Sequence, residues 1–360
     1  MKYKQLIINP GSTSTKLAVY QDEEKLCQET IDHPSEELSI FETIPEQIPF
    51  RTEIVKDFLK KNNIELSDLA AIVGRGGMVY GIKNGGYIVN DQLFTALGDE
   101  KYSSPHSSNL GGMIAKELAD PLGIPAYIYD AVTGSELSDV AKVTGFPEIV
   151  RQSCCHVLNS RSMAMKYANE NNLDYSKLKL VVAHLGGGIS VSAHANGQII
   201  DSVGDDDGPF SPERGGSVQM FEFLKLCYSG KYTEKEIKKK LRGQGGMIAY
   251  LGTSDAREIE KMIDDGNKLA ELIYEAEAYQ VAKAIGLLAV TLKGKIDAII
   301  ITGGMANSTR MTGMINDYVK FLGPVVIKPG ENEMEALAFG GLRLLKGEEK
   351  PSIFALPKND

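Results

Sequence analysis

Three segments hold residue types that let an anion or a flat ligand approach the backbone. The first is Gly11-Ser12-Thr13-Ser14-Thr15-Lys16, with Asn9 two residues ahead of it. Backbone N–H groups and hydroxyls in such a turn can cradle an anion. It is not a Walker A loop: the second glycine is missing, no Ser or Thr comes after Lys16, and Leu17-Ala18-Val19-Tyr20 reads as a strand rather than a helix. The second segment is His184-Leu185-Gly186-Gly187-Gly188 and the third is Thr302-Gly303-Gly304-Met305-Ala306-Asn307. Each alone reads as well as an ordinary tight turn. Two such turns about half a chain apart are what a polyphosphate clamp needs. The third glycine pair would let an adenosine approach the backbone.

Other residues could act on a smaller anion. Arg75 stands in Gly74-Arg75-Gly76-Gly77 and Arg214 in Pro212-Glu213-Arg214-Gly215-Gly216. Glycines leave nothing bulky beside these guanidinium groups, which suits carboxylate or phosphate. Asp130 ends an apolar run, where α/β folds place ligand-facing groups, although an Asp there is also a ready helix N-cap. His184, inside an apolar run, reads by default as a core histidine.

The elements that must carry these residues alternate. Residues 5–20 and 179–201 look like two copies of one design, strand, Gly-rich turn, strand, with Asn196-Gly197 adding a hairpin and a third strand to the second copy. Ile54, Val55, Phe58 and Leu59 mark a helix over 51–62, and a second helix runs over 111–119. Leu269, Leu272, Ile273, Ala276 and Tyr279 mark one face of a long amphipathic helix. Strands are predicted at 69–73, 126–129 and 296–302, and a closing helix at 337–345. This is an α/β pattern with mixed sheets. A duplicated domain is the natural reading: residues 1–152 with 331–360 form one half, and 153–330 the other.

Composition narrows the function classes. The 360 residues carry 39 Lys and Arg against 48 Asp and Glu, a formal charge of −9, which disfavours a general nucleic-acid binder. Lys238-Lys239-Lys240 has Glu234 and Glu236 beside it and reads as a solvated helix face. Cys27, Cys154, Cys155 and Cys227 form no C-x-x-C, and the adjacent pair cannot close an unstrained disulfide. Leu6-Ile7-Ile8 is too short for a signal peptide, and the longest apolar run, 284–292, is half a membrane span. A cytoplasmic protein that binds neither membrane nor nucleic acid is expected.

Together, Asn9-x-Gly11-Ser12-x-Ser14-x-Lys16, His184-Leu-Gly-Gly-Gly188 and Thr302-Gly303-Gly304 resemble the acetate and butyrate kinase family, part of the superfamily that includes sugar kinases and actin. The resemblance covers essentially the full sequence, with the motifs in order. Gly74-Arg75-Gly76-Gly77-Met78 and Glu331-Asn332-Glu333-Met334-Glu335-Ala336-Leu337-Ala338 resemble its butyrate and branched-chain fatty acid branch. The resemblance implies duplicated ribonuclease H-like (actin-like ATPase) domains with an interdomain active-site cleft. It implies ATP/ADP as co-substrate, Mg²⁺, a short-chain fatty acid and its acyl phosphate as substrates, and a homodimer or an assembly of dimers.

Residue by residue, the resemblance places Asn9 by the metal and the transferring phosphoryl group. Arg75 and Arg214 would hold the acyl phosphate, Asp130 is the catalytic Asp, and His184 stabilises the transition state. Glu333 lies near magnesium. Gly11, Ser12, Thr13, Ser14, Lys16, Gly186, Gly187, Gly188, Gly303, Gly304, Met305 and Asn307 would hold nucleotide. Asp255-Ala256-Arg257 matches a nucleotide contact whose central aromatic residue is here Ala256.

A carboxylate is already a nucleophile, so Asp130 is expected to orient rather than to abstract a proton. Gly76 and Gly77 stand where acetate kinases carry valines. They are expected to leave room for extra methylenes, each contributing about 0.8 kcal/mol on burial. The alternatives are an acetate or propionate kinase and an actin-like nucleotide switch with no acid acceptor.

Overall fold

The computed structural model describes residues 2–153 and 155–357; Cys154, and with it the adjacent cysteine pair, lies outside them. The chain divides into two compact units, Met1–Ser135 with Asn332–Asp360, and Glu136–Glu331.

The first unit is built on β1 (Lys4–Pro10), β2 (Ser14–Gln21), β3 (Glu24–Asp32), β4 (Ala71–Arg75), β5 (Gly86–Ile88) and β6 (Ala126–Tyr129). The second is built on β7 (Leu180–Leu185), β8 (Ile189–Ala195), β9 (Gln198–Val203), β10 (Ala298–Gly303) and β11 (Val325–Pro329), and β12 (Ser352–Ile353) returns to the first. The sheets run β12-β5-β6-β4-β1-β2-β3 and β11-β10-β7-β8-β9. In each, three antiparallel strands are followed by two parallel ones: β3-β2-β1-β4-β6 repeats as β9-β8-β7-β10-β11. The duplication is therefore deeper than the turns alone indicate. The first copy also has a third strand, β3, whose alternating exposed residues hide it among polar loop sequence.

Leu6, Ile7 and Ile8 are all fully buried, as in a strand covered on both faces. One cover is the helix Asn109–Ala119. A Cβ on Gly74 would lie 2.2 Å from the Gly111 backbone, and one on Gly111 2.7 Å from Arg75 N. Only glycine at both positions lets this helix lie directly on β4, fixing where Arg75 emerges.

Two expectations need correction. Residues 136–152 belong with the second unit: Ser138 N donates to Ile200 O at 3.0 Å, and Arg151 Nη1 to Asp201 Oδ1 at 2.6 Å. The helix Lys268–Thr291 turns a different face inward from the one read off the sequence. Ala270, Ile273, Tyr274, Ala278, Val281, Ile285 and Leu288 are buried, whereas Leu269, Leu272 and Tyr279 are exposed. The polar tip of Tyr274 is satisfied inside: its hydroxyl donates to Glu260 Oε1 at 2.6 Å and lies 3.1 Å from Ser308 Oγ.

The expected helix over Lys238–Lys240 is present as Glu234–Leu241, closed at its start by a Thr233/Glu236 capping box. No helix of the described residues is long and apolar enough to cross a membrane.

Candidate active site

In the first unit Asn9, Arg75 and Glu333 meet. Asn9 and Lys16 face each other across the β1–β2 ladder. Arg75 is the last residue of β4, and Glu333 is the first residue of the helix Glu333–Lys346. Asn9 Nδ2 donates to Glu333 Oε2 at 2.8 Å and Arg75 Nη1 to Oε1 at 2.5 Å. Burial pushes this carboxyl up, but Arg75, then Asn9 and nearby Lys16, more than reverse it and hold it down at about 2. The positive end of its own helix favours the same ionised form.

Asp130 comes directly after β6 in a left-handed conformation, φ 45°, unusual for a residue with a side chain. Its Oδ1 accepts from Gly85 N at 2.8 Å, and its own N–H donates to Gly85 O at 3.1 Å. The next helix begins only at Asp139, so Asp130 caps no helix. Behind it, the Tyr129 hydroxyl donates to Glu349 Oε2 at 2.5 Å and accepts from Arg343 Nη2 at 2.8 Å. The terminal helix thus supplies Glu333 at one end and, through Arg343, braces the approach to Asp130 at the other.

Gly76 and Gly77 do not leave vacant space. A Cβ on Gly76 would come within 2.4 Å of the Ala131 backbone, and one on Gly77 within 2.5 Å of Asn109 Oδ1 and 2.6 Å of Leu97. Their missing side chains are replaced by the protein's own packing, so the expected room for methylenes is not made there.

In the second unit, His184 is buried on β7. Its Nδ1 lies 3.2 Å from Asn159 Oδ1 and its Nε2 3.6 Å from Glu331 Oε1. Its ring stacks on His156, with centroids 4.0 Å apart and planes 23° from parallel. His156 Nδ1 in turn lies 2.8 Å from Ser190 Oγ. Sequence reasoning missed His156 and Asn159. No short window marks them: His156 directly precedes the helix Val157–Glu170 and Asn159 lies in its first turn.

Arg214 donates to Asp205, which also accepts from Arg242. Its guanidinium lies over Gly188, where a Cβ would meet Nη1 at 2.2 Å and Cζ at 2.3 Å. Gly188 is therefore the seat of Arg214. Gly303, at φ +94°, similarly admits the Leu185 backbone rather than a ligand. Gly304 has open space above it.

A cavity of about 550 Å³ opens in this unit, lined among others by Gly186, Gly187, Asp255, Arg257, Gly304, Met305 and Asn307. That is a size suited to a nucleotide. Asp255 caps the helix Ala256–Asp264 and is gripped by Arg257 through Nε at 2.9 Å and Nη2 at 2.6 Å, which holds its carboxyl at about 2. Glu260 and Ser308, which the sequence did not single out, line the same cavity.

Among known proteins, residues 147–342 match the model of the acetokinase family. The probable butyrate kinase 2 of Caldanaerobacter subterraneus subsp. tengcongensis is 47% identical over 353 residues, 98% of this chain and 99% of that protein. This chain belongs to the acetokinase family. Butyrate kinase 2 of Clostridium acetobutylicum is 46% identical over 352 residues, 97% of this chain and 99% of that one. The acetate kinase of Porphyromonas gingivalis shares the fold, with a TM-score of 0.77 at 18% identity over 96% of this chain and all of that one.

In this acetokinase, Asn9, Arg75 and Glu333 are brought together, Lys16 stands near them, and seven of the expected nucleotide residues share one cavity. Gly11, Ser12 and Thr13 form the turn between β1 and β2, closed by Gly11 N donating at 2.8 Å to the carbonyl of Ser14, the first residue of β2. No cluster of three or more His, Cys, Asp or Glu among the described residues could hold a metal. The ionised Glu333 and the Asn9 amide are hard oxygen donors. So small a set suits Mg²⁺, which usually takes one or two protein oxygens and completes its shell with water and phosphates.

Proposed function

We propose that this protein transfers the γ-phosphoryl group of ATP reversibly to a short-chain carboxylic acid, butyrate or a branched acid of similar size, giving ADP and an acyl phosphate. The carboxylate oxygen attacks phosphorus as the bond to the β,γ-bridging oxygen breaks, and no proton needs removal. The observation that carries the reading is the pair Arg75 and Arg214, each oriented by one carboxylate, Glu333 and Asp205. A hydrolytic nucleotide switch has no use for two such anion holders. The near full-length relatives named as butyrate kinases support the choice of acid.

Arg75 and Arg214 neutralise charge on the transferring group, and His184, fixed by Asn159 and the His156 ring, supplies a further donor. Mg²⁺, held by Glu333 and Asn9, would add charge neutralisation at the phosphates. Asp130 orients rather than deprotonates. The second unit's cavity takes the nucleoside, where Glu260 can accept from hydroxyls. A homo-oligomer in the cytoplasm is part of the same proposal. The helix Met220–Cys227, with Met220, Phe221 and Leu224 exposed, supports a face covered by another copy. Trapping acyl phosphate with hydroxylamine in the presence and absence of acid tests the reaction.

A further inference from the structure

We propose that Arg51, which has no part in the chemistry above, is the positioning residue that keeps the turn between β1 and β2 open to phosphate; this rests on the reading of that turn as a phosphate site. Arg51 lies on the helix Ile48–Lys61 and is fully buried. A guanidinium has five N–H groups, and neutral oxygens take them all. Nε and Nη2 donate to Gln47 Oε1 at 3.1 and 3.0 Å. Nη1 donates to Ser14 O and Thr15 Oγ1, both at 2.9 Å, and Nη2 reaches Ser12 O at 3.4 Å. None of these acceptors is a carboxylate. Burial lowers the group to about 10, so it remains a cation at neutral pH. A buried charge without a counter-ion is costly, and ordinary packing does not call for one.

The consequence lies in the turn. Arg51 draws the Ser12 and Ser14 carbonyls inward, and the Thr13 carbonyl accepts from His33 N at 2.7 Å. Three successive carbonyl oxygens are thus turned to the protein side, where they cannot repel an anion. The N–H groups of Ser12 and Thr13 have no acceptor among the described residues, and both residues are exposed. This is the arrangement of a backbone anion nest, with a fixed positive charge behind it. His33 Nε2, 2.7 Å from Thr15 Oγ1, completes the buried layer. Burial, then Arg51, lowers His33, so it adds no second charge.

Arg51→Lys keeps a cation but cannot bridge two carbonyls with a planar fork. Gln47→Ala removes the acceptor that aims Nε and Nη2. Calorimetry gives affinities for ATP and adenosine, steady-state kinetics gives kcat and the KM for acid, and melting curves report folding. In Arg51→Lys, ATP binding weakens by roughly tenfold or more. Gln47→Ala weakens it in the same direction by less, while adenosine affinity and the KM for acid stay unchanged in both. A folded Arg51→Lys protein that binds ATP within about twofold of the parent overturns the proposal. So does an equal loss of ATP and adenosine affinity. If Arg51→Lys does not fold, Gln47→Ala decides by the same criteria. Acyl phosphate formation by the unaltered protein tests the reaction itself, so the two ideas can fail separately.

Discussion

Glu333 holds Arg75. The guanidinium Nη1 stands 2.5 Å from one carboxylate oxygen, and Asn9 Nδ2 stands 2.8 Å from the other. The partners lie 258 and 324 residues from Glu333 in sequence, so the site is closed by a helix returning from the end of the second unit. Glu333→Gln keeps the shape but removes the charge that aims Arg75. We expect kcat to fall about a hundredfold or more with the melting temperature little changed. Steady-state kinetics beside a melting curve checks this; near-parental turnover contradicts it.

Gly188 and Arg214 act as one unit, because the guanidinium occupies the space a side chain would take. Gly188→Ala should displace Arg214 and lose about as much activity as Arg214→Ala. The double variant should then be no worse than either single one. Additive losses in kcat/KM would show that Gly188 has a separate task.

Gly77→Val tests the packing reading against the pocket reading. A valine must push into Leu97 and Asn109, costing about 1–3 kcal/mol, so denaturant unfolding should show lower stability. A stable variant shifted toward acetate would instead restore the view that this glycine makes room for substrate.

Glu277 gives a pH dependence whose sign is fixed. It is fully buried, its two oxygens accept no hydrogen bond among the described residues, and burial raises it well above 4.5. The folded state binds this proton more tightly than the unfolded chain does. Its ionisation therefore removes no stability below about pH 4.5, and stability is lost as pH rises from there toward the raised folded value. The loss is at most about 1.4 kcal/mol per pH unit. Glu277→Gln should melt higher than the parent at pH 8 and lose that advantage near pH 4.5. A constant gap between the two proteins across this range would contradict the assignment.

Sequence range separates the legible features from the hidden ones. The two Gly-rich hairpins were legible because Pro10–Thr15 and Leu185–Ile189 are local turns with local signals. The strand β3 was missed because its apolar positions are few, with Cys27 and Ile31 half-buried and Leu26 exposed. Gly76, Gly77, Gly188 and Gly303 look alike in sequence to ligand-facing glycines. Only tertiary packing shows that Ala131, Asn109, Arg214 and Leu185 fill those places. The His156–His184 stack and the Arg51 network join residues whose buried polar character no short window displays.

The most direct measurement supplies the purified protein with ATP, Mg²⁺ and each straight and branched acid from formate to hexanoate, with hydroxylamine to trap acyl phosphate, and includes a control lacking acid. We expect hydroxamate to form only with acid, with the highest kcat/KM for four- and five-carbon acids and little ATP consumed in the control. ATP turnover independent of acid would contradict phosphoryl transfer to a carboxylate, and a kcat/KM for acetate at or above that for butyrate and isobutyrate would contradict the choice of acid.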